Sequence, residues 1–258
     1  MNDLIFCPFG QSSALEYATK ALRSKGCCIK SQPDSTVTHL LLPVPSFEAD
    51  GSIKGGGDLR DVLPYLSENV TILGGNLEHP LLKNYHTEDL LSDSLYLAEN
   101  ANITAHCAVK LAANNLPVIL EGCHVLIIGW GRIGKCLADL LKKMGAIVTV
   151  AARKEFDRAM LLALGYDAID CETMCYELLR YRVIFNTAPE LLLPKEKMKF
   201  CASNCLKIDL ASKPGMEGDN ILWARGLPNK DAPESSGDLI ARTVLRLITL
   251  HHQKGVRL

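Results

Sequence analysis

Gly129, Gly131 and Gly134 form a GxGxxG pattern whose spacing suits phosphate binding. An apolar run over 125–128 precedes the pattern, and a helical pattern over 132–144 follows it. In such a unit the first glycine permits a tight turn, the second lets the backbone approach a pyrophosphate, and the third lets the helix pack against the strand. The helix N-terminus then binds the pyrophosphate through its unpaired N–H groups. A glycine-rich turn without a ligand is the alternative. The residues expected to bind a dinucleotide here are Gly129, Trp130, Gly131, Arg132, Ile133 and Gly134.

The end of the next apolar run, residues 147–152, indicates which dinucleotide is bound. An NAD site places Asp or Glu about 20 residues after the glycines, where the acid holds the ribose 2′-hydroxyl. This sequence has Ala151-Ala152-Arg153-Lys154 at that point. Because Arg can bind a 2′-phosphate through two hydrogen bonds, Arg153 and Lys154 favour NADP over NAD as the cofactor. The alternative is that both bases only solvate a strand end.

Three further stretches follow predicted strands, at the edge of a parallel sheet where ligands collect. They are Asn186-Thr187-Ala188-Pro189, Asp209-Leu210-Ala211-Ser212-Lys213-Pro214-Gly215 and Gly226-Leu227-Pro228. Each combines small residues with a proline, which suits a tight turn beside a flat ring, and each is also compatible with an ordinary turn. The cofactor contacts expected in these stretches are Asn186, Thr187, Ala188, Asp209, Leu210 and Ala211.

Pro233-Glu234-Ser235-Ser236 begins the last long helix, which the pattern extends to about His252. The N–H groups of its first turn could hold a substrate carboxylate, with Ser235 and Ser236 as contacts. Plain N-capping by a serine is the alternative.

Alternating strands and helices position these stretches in the second half of the chain. Near-continuous apolar strands in such an alternation predict a parallel sheet covered on both faces. The predicted strands are 125–129, 147–152, 168–169, 183–186, 206–210 and 221–224, and the predicted helices between them are 132–144, 155–164 and 173–180.

The first third of the chain has a weaker alternation of the same kind. Its strand candidates are 4–9, 27–30, 39–44 and 70–73, and its helix candidates are 13–25 and 58–67. From Thr87 to Asn115 the pattern is helical and nearly free of breakers, which predicts two consecutive helices, the second connecting two domains.

The predicted fold class is therefore α/β, a Rossmann doubly wound parallel sheet plus a smaller, flavodoxin-like N-terminal α/β domain. The expected divisions are a substrate-side domain over 1–97, a connecting helix over 98–118, a dinucleotide-binding domain over 119–235, and a C-terminal helix over 236–258 that packs back towards the first domain.

Composition excludes several classes of function. The chain of 258 residues is 48% hydrophobic with a net charge of −1, so it has no basic field for nucleic acid. The first residues have no basic region typical of a signal peptide, and no uncharged apolar stretch is long enough to predict a membrane span. The ten cysteines are expected to be reduced core residues; Cys171/Cys175 and Cys201/Cys205 lack the tighter spacing of zinc ligands, so no metal is expected.

Several of these stretches together resemble the A subunit family of bacterial dipicolinate synthase, from about residue 39 onwards. The most specific is Ile208-Asp209-Leu210-Ala211-Ser212-Lys213-Pro214-Gly215. The other stretches that fit the family are Leu42-Pro43-Val44, residues 129–134, Ala152-Arg153, Gly226-Leu227-Pro228, Ala232-Pro233 and Ser236-Gly237.

The resemblance implies a two-domain fold like that of D-2-hydroxyacid dehydrogenases. It implies NADP-linked oxidation of a dihydrodipicolinate-type ring to the aromatic pyridine dicarboxylate. It also implies a flavoprotein-like B subunit as partner, in the cytosol of a spore-forming bacterium. We further expect a homo-oligomer.

Two stretches depart from the family's pattern. After the first strand the family has a glycine-rich GGDxRQ-like turn, whereas this chain has Pro8-Phe9-Gly10-Gln11-Ser12-Ser13. In the connecting helix the family has a Thr-Ala-Glu-Gly-like step, whereas this chain has Thr104-Ala105-His106-Cys107. His106 at the family's Glu position is expected to shuttle a proton or bind a carboxylate, with a hydrogen-bonded helix histidine as the alternative. Lys213 and Ser212 are expected to contact a substrate carboxylate, with a solvated lysine as the alternative.

Three functions remain open from the sequence. The first is an NADP-dependent oxidoreductase like the A subunit of dipicolinate synthase. The second is a D-2-hydroxyacid dehydrogenase, although the only late histidines, His251 and His252, lack the flanking glycine of that class. The third is a cofactor-binding subunit or sensor without catalysis, which the two departures would suit.

Overall fold

The computed structural model describes residues 4–253, and the side chains of residues 4–250. The chain divides into two compact units. One unit combines Met1–Asn100 with Pro228–Leu258, and the other is Ala101–Leu227. We call them the split unit and the central unit.

A five-stranded parallel sheet forms the centre of the split unit. Its order is β2-β1-β3-β4-β5, the order of flavodoxin-like folds, so the predicted small doubly wound domain is confirmed. Leu40, Leu42 and Ile72 are completely buried in its core. The strands are β1 (Ile5–Pro8), β2 (Cys28–Ile29), β3 (His39–Leu41), β4 (Thr71–Gly74) and β5 (His86–Asp89).

Two helices from opposite ends of the sequence pack together in this unit, α1 (Ser13–Ser24) and α7 (Pro233–Gln253). The Ser12 side chain caps α1 by accepting a hydrogen bond from the N–H of Leu15. Gly237 allows the close approach, because a Cβ there would lie 2.6 Å from the nitrogen of Ala18 and 2.7 Å from the carbonyl oxygen of Ala14. Glycine at this position is therefore explained by helix packing.

The prediction of helix throughout 87–115 is wrong at its start. Residues 86–89 form strand β5, which pairs in parallel with β4, and the helix α2 runs from Ser94 to Asn115. The sequence His86-Thr87-Glu88-Asp89 has no apolar alternation because β5 is an edge strand, paired on one side only and partly exposed. The sheet, rather than a local pattern, determines its conformation.

Other differences concern short helical segments. Asp58 caps a helical segment at the start of the predicted helix 58–67, but residues 59–65 form two 3₁₀ turns, since Pro64 has no N–H to continue an α-helix. Residues 174–180 are likewise a 3₁₀ helix, which buries Met174, Cys175 and Leu178. The expected turn at Leu227-Pro228 is instead the start of a short helix, α6 (Leu227–Asp231).

A six-stranded parallel sheet forms the central unit, in the order β11-β10-β9-β6-β7-β8. This is the strand order of dinucleotide-binding Rossmann folds, so the predicted doubly wound sheet is confirmed. The strands are β6 (His124–Ile128), β7 (Ile147–Ala151), β8 (Asp167–Ile169), β9 (Val183–Asn186), β10 (Leu206–Asp209) and β11 (Ile221–Trp223). The helices are α3 (Arg132–Lys143), α4 (Glu155–Ala163) and α5 (Lys195–Met198).

The structure also describes the cysteines, the apolar character of the helices and the possible metal-binding groups. No two of the cysteines, all of which lie in the described part of the chain, form a disulfide, and all except Cys28, Cys136 and Cys201 are buried. Within residues 4–253 no helix is sufficiently long and apolar for a membrane span. The same residues contain no group of three or more His, Cys, Asp or Glu side chains arranged for a metal ion.

Candidate dinucleotide site

The three glycines of the GxGxxG pattern differ in what surrounds them. Gly129 has a φ of 103°, and a Cβ there would lie 2.6 Å from the Thr187 hydroxyl oxygen. A Cβ at Gly134 would overlap the carbonyl oxygen of Gly129, so this glycine lets α3 pack against the loop. A Cβ at Gly131 would meet no described heavy atom within 4 Å. The space beside Gly131 is open for a ligand, as the sequence pattern predicts for the second glycine.

The N-terminus of α3 offers N–H groups to an anion. Its cap residue is Gly131, which makes no side-chain capping bond, and the first turn contains no acidic residue. The N–H of Lys135 bonds to the carbonyl of Gly131, so the N–H groups of the residues just before it have no partner within the helix. Together with the open space at Gly131, these groups fit a pyrophosphate.

A cavity of about 240 Å³ opens beside this loop. Its walls come from the ends of β6 and β7, the loop after β9 and the first turn of α4. Trp130 lines it and packs edge-on against Tyr166, with ring centroids 5.9 Å apart. The predicted cofactor residues that line the cavity are Gly129, Trp130, Gly131, Arg153, Lys154, Thr187 and Ala188.

The other predicted cofactor residues lie outside the cavity lining. Arg132 is exposed on α3, whereas Ile133 is half-buried and Gly134 is packed against the loop. Leu210 and Ala211 are buried behind β10. Asn186 and Asp209, the remaining two, are fully buried and bond to each other.

The Asn186–Asp209 pair fixes the loops after β9 and β10. Asn186 Nδ2 donates to Asp209 Oδ1 at 2.9 Å and to the carbonyl oxygen of Ala188 at 2.9 Å. The Asp209 carboxylate also accepts the N–H of Ala211 at 3.0 Å and the N–H of Gly215 at 2.7 Å. Their side chains therefore hold the loops in place, a role that differs from the cofactor contact predicted for them.

Arg153, at the end of β7, lies at the mouth of the cavity and forms an ion pair with Glu190. Its Nη1 donates to Glu190 Oε2 at 2.7 Å. Arg158 fixes the backbone here, since its guanidinium donates to the carbonyls of Ala152 and Arg153 and pairs with Asp170 at 2.6 Å. The turn that carries Arg153 is thus anchored to the sheet.

Several cavity residues were absent from the sequence-based prediction. Asp157, Cys171, Pro189 and Leu192 line the cavity, and Glu190 pairs with a residue that does. Pro189 belongs to the predicted turn after strand 183–186, and Cys171 was expected only as a core residue. The others carry no motif, and the sheet brings them to this place. Burial raises the pKa of the Cys171 thiol, and the nearby Asp170 raises it further. The thiol is therefore in its neutral form near pH 7.

The predicted substrate and catalytic residues lie in both units and differ in their exposure to solvent. His106, on α2, and Lys213, after β10, are exposed side chains of the central unit, and neither makes a hydrogen bond or ion pair to the described residues. Ser212 is exposed beside Lys213. In the split unit, Ser235 is exposed, but Ser236 is buried in α7, so the hydroxyl of Ser236 is not presented to solvent as a carboxylate contact would require. The side chains of His251 and His252 lie outside the described residues.

Known proteins similar to this chain share its fold. No protein-family model matches the sequence. The chain is 24% identical over 247 residues to the A subunit of dipicolinate synthase from Bacillus subtilis (strain 168), covering 86% of this chain and 81% of that protein. The crystal structure of the A subunit of dipicolinate synthase from Bacillus halodurans is 22% identical, with a TM-score of 0.82, and covers 95% of this chain and 98% of that one.

A dehydrogenase structure extends this likeness. The apo-structure of D-lactate dehydrogenase from Escherichia coli has a TM-score of 0.60 and 14% identity, and covers 98% of both chains. The resemblance inferred from sequence motifs is thus confirmed, and the likeness extends to the fold of a dehydrogenase.

Proposed function

We propose that the protein is an NADP-dependent oxidoreductase that oxidises a dihydrodipicolinate-type cyclic dicarboxylate. The observation that carries the proposal is the cavity beside Gly131, which joins an uncapped helix N-terminus to Arg153 and Lys154 at the end of β7. The first feature suits a pyrophosphate, and the second suits the 2′-phosphate that distinguishes NADP from NAD. The likeness to the A subunit of dipicolinate synthase supports the substrate class.

The residues of the central unit divide the work of such a reaction. The N–H groups at the start of α3 bind the pyrophosphate, and Arg153 with Lys154 binds the 2′-phosphate. When bound, the nicotinamide supplies the acceptor for the hydride that the substrate ring loses. His106 accepts the ring proton, and Lys213 with Ser212 binds a carboxylate. Because loss of a hydride and a proton makes the ring aromatic, the step is downhill, and orientation is the main task of the protein.

Cofactor choice is tested by isothermal titration with NADP and NAD. We expect tighter binding of NADP, because the end of β7 carries Ala152 and Arg153 in place of the acid that would repel its 2′-phosphate. Tighter binding of NAD would refute the cofactor part of the proposal.

Turnover is tested by absorbance at 340 nm with NADP and a freshly prepared dihydrodipicolinate mixture, with and without a flavoprotein-like B subunit. We propose that the protein acts in the cytosol together with such a partner. A rise in absorbance is expected, and its loss in His106→Ala with unchanged NADP binding would assign the proton acceptor.

A non-catalytic cofactor-binding subunit is the second candidate. It is favoured by the departures at Pro8–Ser13 and Thr104–Cys107, where the chain lacks the family's Asp-x-Arg and Glu. Tight NADP binding without turnover, in the presence and the absence of the partner, would establish this candidate instead.

A further inference from the structure

Glu190 is the one acidic side chain that pairs with Arg153 among the described residues. Its Oε2 lies 2.7 Å from Arg153 Nη1, and the pair bridges from the end of β7 to the loop after β9. The two side chains are 54% and 70% exposed, so water and ligands reach both. Thirty-seven residues separate them in the sequence.

The backbone on the Glu190 side of this ion pair is fixed. Asn186 bonds to both the carbonyl and the N–H of Ala188, two residues before Glu190. A Cβ at Gly215 would lie 2.7 Å from the carbonyl oxygen of Glu190, so the two loops are packed closely there. The N–H of Leu192 bonds to the carbonyl of Gly215 on the other side of Glu190.

The backbone on the Arg153 side is fixed as well, since Arg158 donates to the carbonyls of Ala152 and Arg153 and pairs with the Asp170 carboxylate. Both ends are therefore anchored, and only the side chains are free to move. The Glu190 carboxylate is thus held on the same edge of the sheet as the Arg153 guanidinium.

We propose that Glu190 is a specificity-determining residue that competes with the 2′-phosphate of NADP for Arg153 and thereby sets the ratio of NADP to NAD affinity. This inference rests on the proposed binding of NADP at this site. An exposed ion pair contributes little stability, so a phosphate can displace the carboxylate. The displaced carboxylate nevertheless remains near the phosphate and repels it. NAD has a hydroxyl in place of that phosphate, so its binding neither displaces the Glu190 carboxylate from Arg153 nor brings a second negative charge beside it.

Glu190→Gln tests this directly, by isothermal titration of NADP and NAD into the full-length chain. We expect NADP to bind about fivefold more tightly to the variant and NAD to bind within about twofold of the unchanged protein. The gain for NADP should shrink in about 0.5 M salt, because exposed charges are then screened. Glu196→Gln is the matched control, since Glu196 is an exposed acid of the same unit and Arg153 pairs with Glu190 instead.

A double-mutant cycle with Arg153→Met separates competition from a general effect of charge. In the Arg153→Met background, Glu190→Gln should change NADP affinity by less than about twofold if the carboxylate acts through Arg153. Unchanged or weaker NADP binding to Glu190→Gln would overturn the inference, as would an equal gain in the Arg153→Met background or in Glu196→Gln. Weaker NAD binding to Glu190→Gln would also overturn it, because that result would make Glu190 a ribose ligand.

The two proposals fail in different ways. If NADP binds the unchanged protein more tightly than NAD but Glu190→Gln has no effect, the inference alone fails. If the unchanged protein and Glu190→Gln both bind NAD more tightly than NADP, the proposed NADP cofactor fails together with the inference.

Discussion

Gly131 and Gly134 show how the same residue type serves two purposes within four positions. Gly131 has an ordinary φ of −80° and open space around its Cα, so nothing in the fold requires glycine there. Gly134 has no such space, because a side chain would overlap the carbonyl oxygen of Gly129. Packing therefore explains glycine at position 134, whereas we attribute glycine at position 131 to the proposed ligand.

Substituting these two glycines should separate binding from stability. Gly131→Ala is expected to leave the melting temperature nearly unchanged and to weaken NADP binding about tenfold, because the methyl group occupies the ligand's space. Gly134→Ala is expected to destabilise the protein by about 2 kcal/mol. Thermal unfolding and isothermal titration of both variants measure this. A stable Gly131→Ala protein with unchanged NADP affinity would contradict the ligand explanation.

At the scale of elements, the contact between α1 and α7 depends on a small residue. The resemblance motif Ser236-Gly237 lies where α7 crosses α1, and both residues are buried there. The glycine admits the backbone of α1, and the serine is packed inside the unit. Helix packing therefore explains the glycine of this motif.

Gly237→Ala should weaken that contact. A Cβ would lie 2.6 Å from the nitrogen of Ala18, so the helices must separate, and we expect a loss of about 2 kcal/mol in the free energy of unfolding. Urea denaturation measures the loss, and Gly131→Ala serves as the control, since its new Cβ meets open space. NADP binding to the folded variant should be unchanged, because Gly237 belongs to the split unit. An unaltered unfolding midpoint would disprove the close-packing explanation.

At the scale of the whole molecule, the split unit combines the first hundred residues of the chain with the C-terminal helix α7. Arg246, on α7, donates to Asp93 Oδ1 at 2.6 Å, and Arg242 donates to Glu99 at 2.9 Å. Burial raises the pKa of the Asp93 carboxyl, but the hydrogen bonds from Arg246 and the N–H of Tyr96 outweigh it, so the pKa is lowered. The ion pair therefore stabilises the folded chain when Asp93 is ionised.

Asp93→Asn should make this stabilisation visible as a function of pH. A carboxyl whose pKa is lower in the folded state contributes its full stability above the unfolded value of about 4 and loses it as the pH falls through the folded value. We expect Asp93→Asn to cost about 1.5 kcal/mol at about pH 7, and the difference from the unchanged protein to diminish below about pH 4. Urea denaturation across this range measures it.

The control for Asp93 is Asp139→Asn, which removes an exposed pair with Lys143 within α3. That change should cost no more than about 0.5 kcal/mol, because surface pairs within one helix contribute little. A loss in Asp93→Asn that is the same at about pH 7 and about pH 3 would show that the ionised carboxylate is not what stabilises the folded chain.

Local spacing was enough to locate the glycine loop, to predict alternating strands and helices, and to identify Arg153 and Lys154 at the end of β7. Each depends on contacts between residues close in sequence, or on an apolar period that one element imposes by itself. The sequence pattern gave a wrong prediction at β5, a polar edge strand whose conformation depends on its pairing with β4. It also predicted one continuous helix over residues 59–65, which a proline prevents.

Only the tertiary structure decided which side chains meet at the cavity. In the sequence, Asn186 and Asp209 were predicted to lie in turns beside a ligand. Because buried polar atoms require hydrogen-bond partners, their side chains instead bond to each other across two neighbouring strands. Glu190 carried no motif, and it meets Arg153 because parallel strands bring the ends of β7 and β9 to one edge of the sheet. The sequence by itself thus determined the glycine-rich loop and the basic strand end. The fold determined their neighbours, because residues so far apart in sequence are brought together by strand order and not by spacing.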